Sequence, residues 1–196
     1  MNRKSVASLM ATTAVSMGLL LAGGPAMAAE SDAAAKPDSA QNSCWVDLST
    51  NDSLCVDEGV DLVREVREKK GVELIVPDGT VIAGFEVDNT TYSSQRGAVT
   101  TQAAVVVGIL YDNINYGGGT FVASTDQGCA GGWVYTYNSL SPYGWNDRAS
   151  SYKGFSSCRS TVFEGENQSG SQNGPSFNAS SLGAMNDKAS SYRLAL

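Results

Sequence analysis

Histidine is absent from the 196 residues of this chain. That excludes a Ser–His–Asp or Cys–His catalytic centre, a histidine zinc ligand and a histidine pH switch. Cysteine is scarce, with four residues at positions 44, 55, 129 and 158, and none stands in C-x-x-C spacing. A four-cysteine zinc site is therefore not expected. Basic residues are outnumbered, 13 against 20 acidic ones, for a formal charge of −7. A nucleic-acid partner does not suit that balance. Charged residues make up only 17%, hydrophobic residues make up 42%, and there are 21 Gly. Such a profile fits a turn-rich β protein better than a disordered chain or a helical bundle.

The long apolar run that does exist lies at the start. Arg3 and Lys4 precede an apolar stretch from about Val6 to Ala22, followed by Gly23-Gly24-Pro25 and the small-residue site Ala26-Met27-Ala28. This is the layout of a secretory signal peptide, assigned to residues 1–28. No Cys follows the cleavage site, so a lipid anchor is not expected, and no later stretch is apolar enough to span a membrane. Cleavage removes two basic residues and takes the charge from −7 to −9. The expected location is secreted, or extracellular. Export also means that the four Cys pair as two disulfides. Of three possible connectivities, Cys44–Cys55 and Cys129–Cys158 keep each bridge within one segment.

Residues 29–43 are small, polar and Pro-containing, and read as a disordered leader. Residues 44–100 read as a small acidic α+β region. From Ala29 to Thr100 there are 14 acids and six basic residues; beyond Thr100 there are six and five. Asp57–Lys70 places Val60, Val63 and Val66 three apart, with acids at the start, Lys69-Lys70 at the end and Gly71 after it. The pattern predicts a short amphipathic helix. Val72–Val76 and Thr80–Val87 flank Pro77-Asp78-Gly79 and predict a hairpin.

Residues 101–196 contain a repeat. Asn146-Asp147-Arg148-Ala149-Ser150-Ser151-Tyr152-Lys153 recurs 40 residues later as Asn186-Asp187-Lys188-Ala189-Ser190-Ser191-Tyr192-Arg193. An aromatic-led segment precedes each copy, opening at Tyr111 and at Phe163. The first unit holds about 12 extra residues within Ser124–Trp145. Each unit is too short to bury its own face, so two packed together predict a β-sandwich.

Tyr111-x4-Tyr116-x-Gly118 resembles the opening signature of a βγ-crystallin Greek key. Asn146-Asp147-x-x-Ser150-Ser151 and Asn186-Asp187-x-x-Ser190-Ser191 resemble that family's calcium motif. The likeness covers roughly Val107 to Leu196. In the second unit Gln168 stands where the second aromatic should be. The resemblance implies a mainly β fold, with two Greek-key motifs in a βγ-crystallin-like sandwich preceded by the small α+β region. It also implies Ca2+ as ligand, a hard ion that takes six to eight oxygens. One site would use Asp147 and Ser150 with the hairpin around Glu164. The other would use Asp187 and Ser190 with the hairpin around Asp112. Asn146 and Asn186, with Ser151 and Ser191, would pin the loops by hydrogen bonds to backbone. Purely structural loops are the competing reading.

Cys129–Trp145 holds five aromatics, Trp133, Tyr135, Tyr137, Tyr143 and Trp145. A tethered loop displaying them would suit contact with a protein or carbohydrate. Alternatively, Trp133, Tyr135 and Tyr137 alternate as a strand with one buried face. The chain is similar to the actinobacterial metalloproteinase-inhibitor and killer-toxin-like secreted proteins. That likeness implies a peptidase inhibitor, expected to be a monomer, with a secreted peptidase as partner. The alternative is a calcium-stabilised envelope- or glycan-binding or toxin-like protein. No enzyme is expected, because the acids are scattered and better explained as calcium oxygens than as a glycosidase pair.

Overall fold

The computed structural model describes residues 42–88 and 102–196. The signal segment, the leader up to residue 41 and residues 89–101 lie outside them. The described residues are mainly β, in two large sheets and one two-stranded sheet, with one α-helix. In the first sheet, β12 (Asn178–Ala179), β9 (Ser151–Gly154), β6 (Gln102–Tyr111), β7 (Thr120–Thr125), β1 (Ser43–Asp47) and β2 (Asp52–Val56) lie in that order, and β3 (Val72–Ile75) also pairs with β6. In the second, the order is β11 (Ser169–Ser176), β10 (Arg159–Gly165), β13 (Ser191–Ala195), β8 (Tyr135–Tyr137).

Two Greek-key units build these sheets. In the first unit β6 lies between β7 and β9, while its third strand, β8, crosses to the edge of the second sheet. In the second unit β10 lies between β11 and β13, while its third strand, β12, crosses to the first sheet. Each unit thus completes the other's sheet, which is why neither buries its face alone. The two faces meet around Phe121, Leu110, Trp145, Tyr152, Val162, Tyr192 and Leu194, all fully buried.

The apolar run of β6 is buried on both sides. Val107 and Leu110 belong to the sandwich core; Val106, Ile109 and Tyr111 belong to a second core on the outer face of the sheet. A bulge between Val106 and Gly108 shifts the alternation by one residue. Gly108 is required by close approach, since a Cβ there would lie 2.1 Å from the Tyr192 hydroxyl.

Residues 42–88 supply most of that outer core, while β1 also places Cys44 and Val46 in the sandwich core. β1 pairs in parallel with β7, and β3 in parallel with β6, so residues on both sides of position 100 share one sheet. Helix α1 (Leu62–Lys70) buries Leu62, Val63 and Val66 against Trp45, Ile109 and Val122. It begins later than the predicted Asp57. Asp61 caps it, accepting from the Arg64 amide, because a carboxylate there satisfies an amide that has no partner within the helix. Gly71 ends it at φ 65°, as expected of a Gly stop.

The predicted hairpin between Val72–Val76 and Thr80–Val87 does not form. β3 takes β6 as its partner, which buries Val72 and Leu74 in the outer core. The turn closes inside the second segment, where β4 (Val81–Ile82) pairs with β5 (Phe85–Glu86). Both disulfides have the predicted connectivity. Cys44 and Cys55 stand directly opposite each other across β1 and β2, and Cys129–Cys158 tethers the long β7–β8 connection to the base of β10.

Candidate metal centre

The two repeat loops, 146–151 and 186–191, are joined by reciprocal backbone bonds. The Asp147 amide donates to the Ala189 carbonyl and the Asp187 amide to the Ala149 carbonyl, each at 3.0 Å. These cross bonds hold both Asp residues in the left-handed region, at φ 56° and 53°. Asp tolerates that conformation better than most residues. Both carboxylates are exposed, while Ser150 and Ser190 are buried beside them.

The serines anchor each loop to the hairpin of its own unit. Ser150 N–H donates to Tyr111 O and Ser190 N–H to Phe163 O, both at 2.8 Å. Ser151 Oγ donates to Asn113 O and accepts from Tyr116 N–H; Ser191 Oγ donates to Gly165 O and accepts from Gln168 N–H. Tyr116 and Gln168 occupy equivalent left-handed positions, at φ 65° and 58°. Replacing an aromatic by Gln168 therefore leaves the second hairpin's backbone unchanged. Its amide nitrogen lies 3.2 Å from Asn138 Oδ1, whereas Tyr116 packs edge-on against Tyr111.

One contact joins residues that the expected grouping placed in separate sites. Ser150 Oγ donates to Asp187 Oδ1 at 3.0 Å. One cluster consists of Asp187, Ser150 and the hairpin 111–118. On the other side, the Asp147 amide bonds to Ala189 O beside Ser190, and the Ser190 amide bonds to Phe163 O of the hairpin 163–170, where Glu164 is exposed. The crossed backbone pairing carries Asp187 to the opposite unit's Ser150 and sets Asp147 beside the segment that holds Ser190. Asn146 and Asn186 also differ from expectation. Their side-chain amides donate to the neighbouring Asp147 and Asp187 carboxylates, not to backbone, at 2.7 and 3.2 Å.

Asp112 is already engaged by the protein. Its carboxylate is buried and pairs with the buried guanidinium of Arg148, Nε to Oδ1, at 3.3 Å. Arg148 also donates to Asn42 Oδ1 and Gly144 O, and stacks 4.3 Å from the Trp145 ring. In the repeat, Arg148 and Lys188 stand at equivalent positions, and nothing along the chain distinguishes the buried one from the other. Lys188 is in fact exposed.

All the side-chain donors at the two clusters are oxygens, which suits a hard cation. Asn186 Oδ1 adds a buried acceptor with no hydrogen-bond partner. Among the described residues, no three Asp, Glu, Cys or His side chains converge as a metal-binding group. Each cluster therefore depends on one Asp, one hydroxyl and hairpin carbonyls.

The aromatic segment divides. Trp145 and Tyr137 are core residues, at 0% and 3% exposure, and cannot belong to an interaction loop. Tyr137 is buried at the end of β8, with its ring stacked on Tyr192, and burial pushes its phenol well above the usual range. Tyr143 and Tyr135 are half-buried against the same core. Trp133 and Val134, each 50% exposed, remain at the surface.

No protein-family model matches the sequence, and no curated protein matches it. Solved structures similar to residues of this chain include a βγ-crystallin domain from Clostridium beijerinckii, at 24% identity over 45% of this chain and 97% of that one, with a TM-score of 0.36. Another is a βγ-crystallin domain from Flavobacterium johnsoniae, at 23% identity over 45% and 92%, with a TM-score of 0.34. A third is the N-terminal domain of Protein S, at 24% identity over 45% and 93%, with a TM-score of 0.36.

Proposed function

We propose that this is an exported, non-enzymatic binding protein whose C-terminal sandwich binds calcium at the two loop clusters. The observation that supports it is the Ser150–Asp187 contact at 3.0 Å, which joins oxygen donors from separate repeats 37 residues apart. Asp187 and Ser150 would hold one ion with carbonyls of the first hairpin, and Asp147 and Ser190 the other with the second. Calcium would supply charge compensation and a cross-link between the two units. The chain's own residues already bring the loops together through the crossed amide bonds. Two disulfides, and the lack of any helix among the described residues long and apolar enough to cross a membrane, agree with an extracellular setting.

The target-binding reading rests on Trp133 and Val134. They are exposed and lie four and five residues past Cys129, which is fixed to Cys158. A rigid aromatic contact of this kind suits inhibition of a secreted peptidase. Titrating the protein against secreted metallo- and serine peptidases tests it. Inhibition lost in Trp133→Ala supports the reading; cleavage of the chain without inhibition contradicts it. Retention on cell-envelope glycans would then favour the envelope-binding alternative.

A further inference from the structure

Resting on the calcium reading, we infer that the two sites are inequivalent. The Asp147 site binds calcium more tightly, and Arg148 with Lys153 weakens the Asp187 site. The two hairpins have nearly the same backbone and different charge. On the first, the Arg148 guanidinium sits 3.3 Å from Asp112 Oδ1 and the Lys153 ammonium lies 4.5 Å from the Tyr116 ring centroid. Two fixed cations thus contact the hairpin that faces Asp187 and Ser150. One of them compensates the hairpin's only carboxylate.

The second hairpin is the reverse. It carries Glu164 and Glu166, both exposed; Glu166 accepts from Ser139 Oγ, and among the described residues neither forms an ion pair. The residues equivalent to Arg148 and Lys153 are Lys188 and Arg193, and both are exposed. Asp147 is tied by its amide to Ala189 O, beside the Ser190 that bonds this glutamate-bearing hairpin, whereas Asp187 meets Ser150 beside a hairpin already served by internal cations. Ligand charge sets calcium affinity over several orders of magnitude, and Asp112 and Arg148 are buried, where charges act more strongly than on the surface. A separation of at least about tenfold follows.

Arg148 is a positioning residue. It links Asp112, Gly144 O and Asn42, so its removal alone could disturb folding. The test therefore begins with surface variants. Calorimetric titration of the mature protein with calcium should show two classes of site. Asp147→Asn should abolish the tighter class and Asp187→Asn the weaker. Arg148→Gln, checked for an intact near-ultraviolet spectrum, should bring the classes together, whereas Arg148→Lys should keep them apart. Two equal sites in the parent, or loss of the tighter class in Asp187→Asn, would overturn the inequivalence and leave calcium binding standing. No calcium heat in any variant would overturn the calcium reading and this inference with it.

Discussion

Ser150 and Asp187 are 37 residues apart in sequence, and their side chains meet at 3.0 Å. The contact depends on reciprocal backbone bonds, Asp187 N–H to Ala149 O and Asp147 N–H to Ala189 O. Neither loop can be placed without the other. An ion held there would report on the packing of the two Greek-key units, because its ligands come from both.

The two tryptophans at either end of the aromatic segment should behave oppositely. Trp145 is fully buried against Phe121 and under the Arg148 guanidinium. Trp145→Ala should lower unfolding free energy by about 3–5 kcal/mol. Trp133→Ala should change it by less than about 0.5 kcal/mol, because its ring is half in solvent. Denaturant titration of both variants gives the comparison. Equal effects would contradict the division of this segment into core and surface.

The outer layer should prove integral to the fold. Trp45 is fully buried, and its indole N–H donates to Ser124 Oγ, which in turn donates to the buried carboxylate of Asp47. Trp45→Ala opens a cavity in the outer core and leaves that network short of a donor. A loss of about 3–5 kcal/mol is expected, in a single cooperative transition followed by far-ultraviolet and tryptophan signals together. Separate transitions would show instead that residues 42–88 unfold independently.

The pH dependence should be one-sided. Tyr111, Tyr137, Tyr152 and Tyr192 all have phenols raised above 10.0, chiefly by burial. A raised phenol pKa means the unfolded chain ionises first. The stability these groups lend is complete below the unfolded value near 10 and is lost as pH rises beyond it. With no histidine in the chain, the melting temperature should vary little between about pH 6 and 9 and fall above about pH 10. Melting followed across that range, with phenolate absorbance at each pH, checks it. A transition near pH 6.5 would contradict it.

The repeat was legible because six of its eight positions are identical, and the spacing of Tyr111, Tyr116 and Gly118 marked the first hairpin. Both disulfide pairings were legible too, from segment locality alone. The partner of β3 was not. Val72–Ile75 alternates like a hairpin arm, and nothing local favours the distant parallel strand β6 over the nearer segment after Pro77. The crossed grouping of Ser150 with Asp187 was also hidden, since each motif looks self-contained when read along the chain. The ion pair of Asp112 was hidden for the same reason. Its partner Arg148 is 36 residues away, and only burial distinguishes it from Lys188.

The most direct measurement is thermal unfolding of the mature protein with millimolar calcium and with chelator, beside an Asp147→Ala/Asp187→Ala variant. Binding confined to the folded state adds about 2.7 kcal/mol when calcium is at a hundred times Kd. For a domain of this size that is a rise of roughly 5–10 °C in the parent. The account predicts that rise, reversed by chelator and absent in the double variant. An equal melting temperature in calcium and chelator, or an equal rise in the double variant, would contradict it.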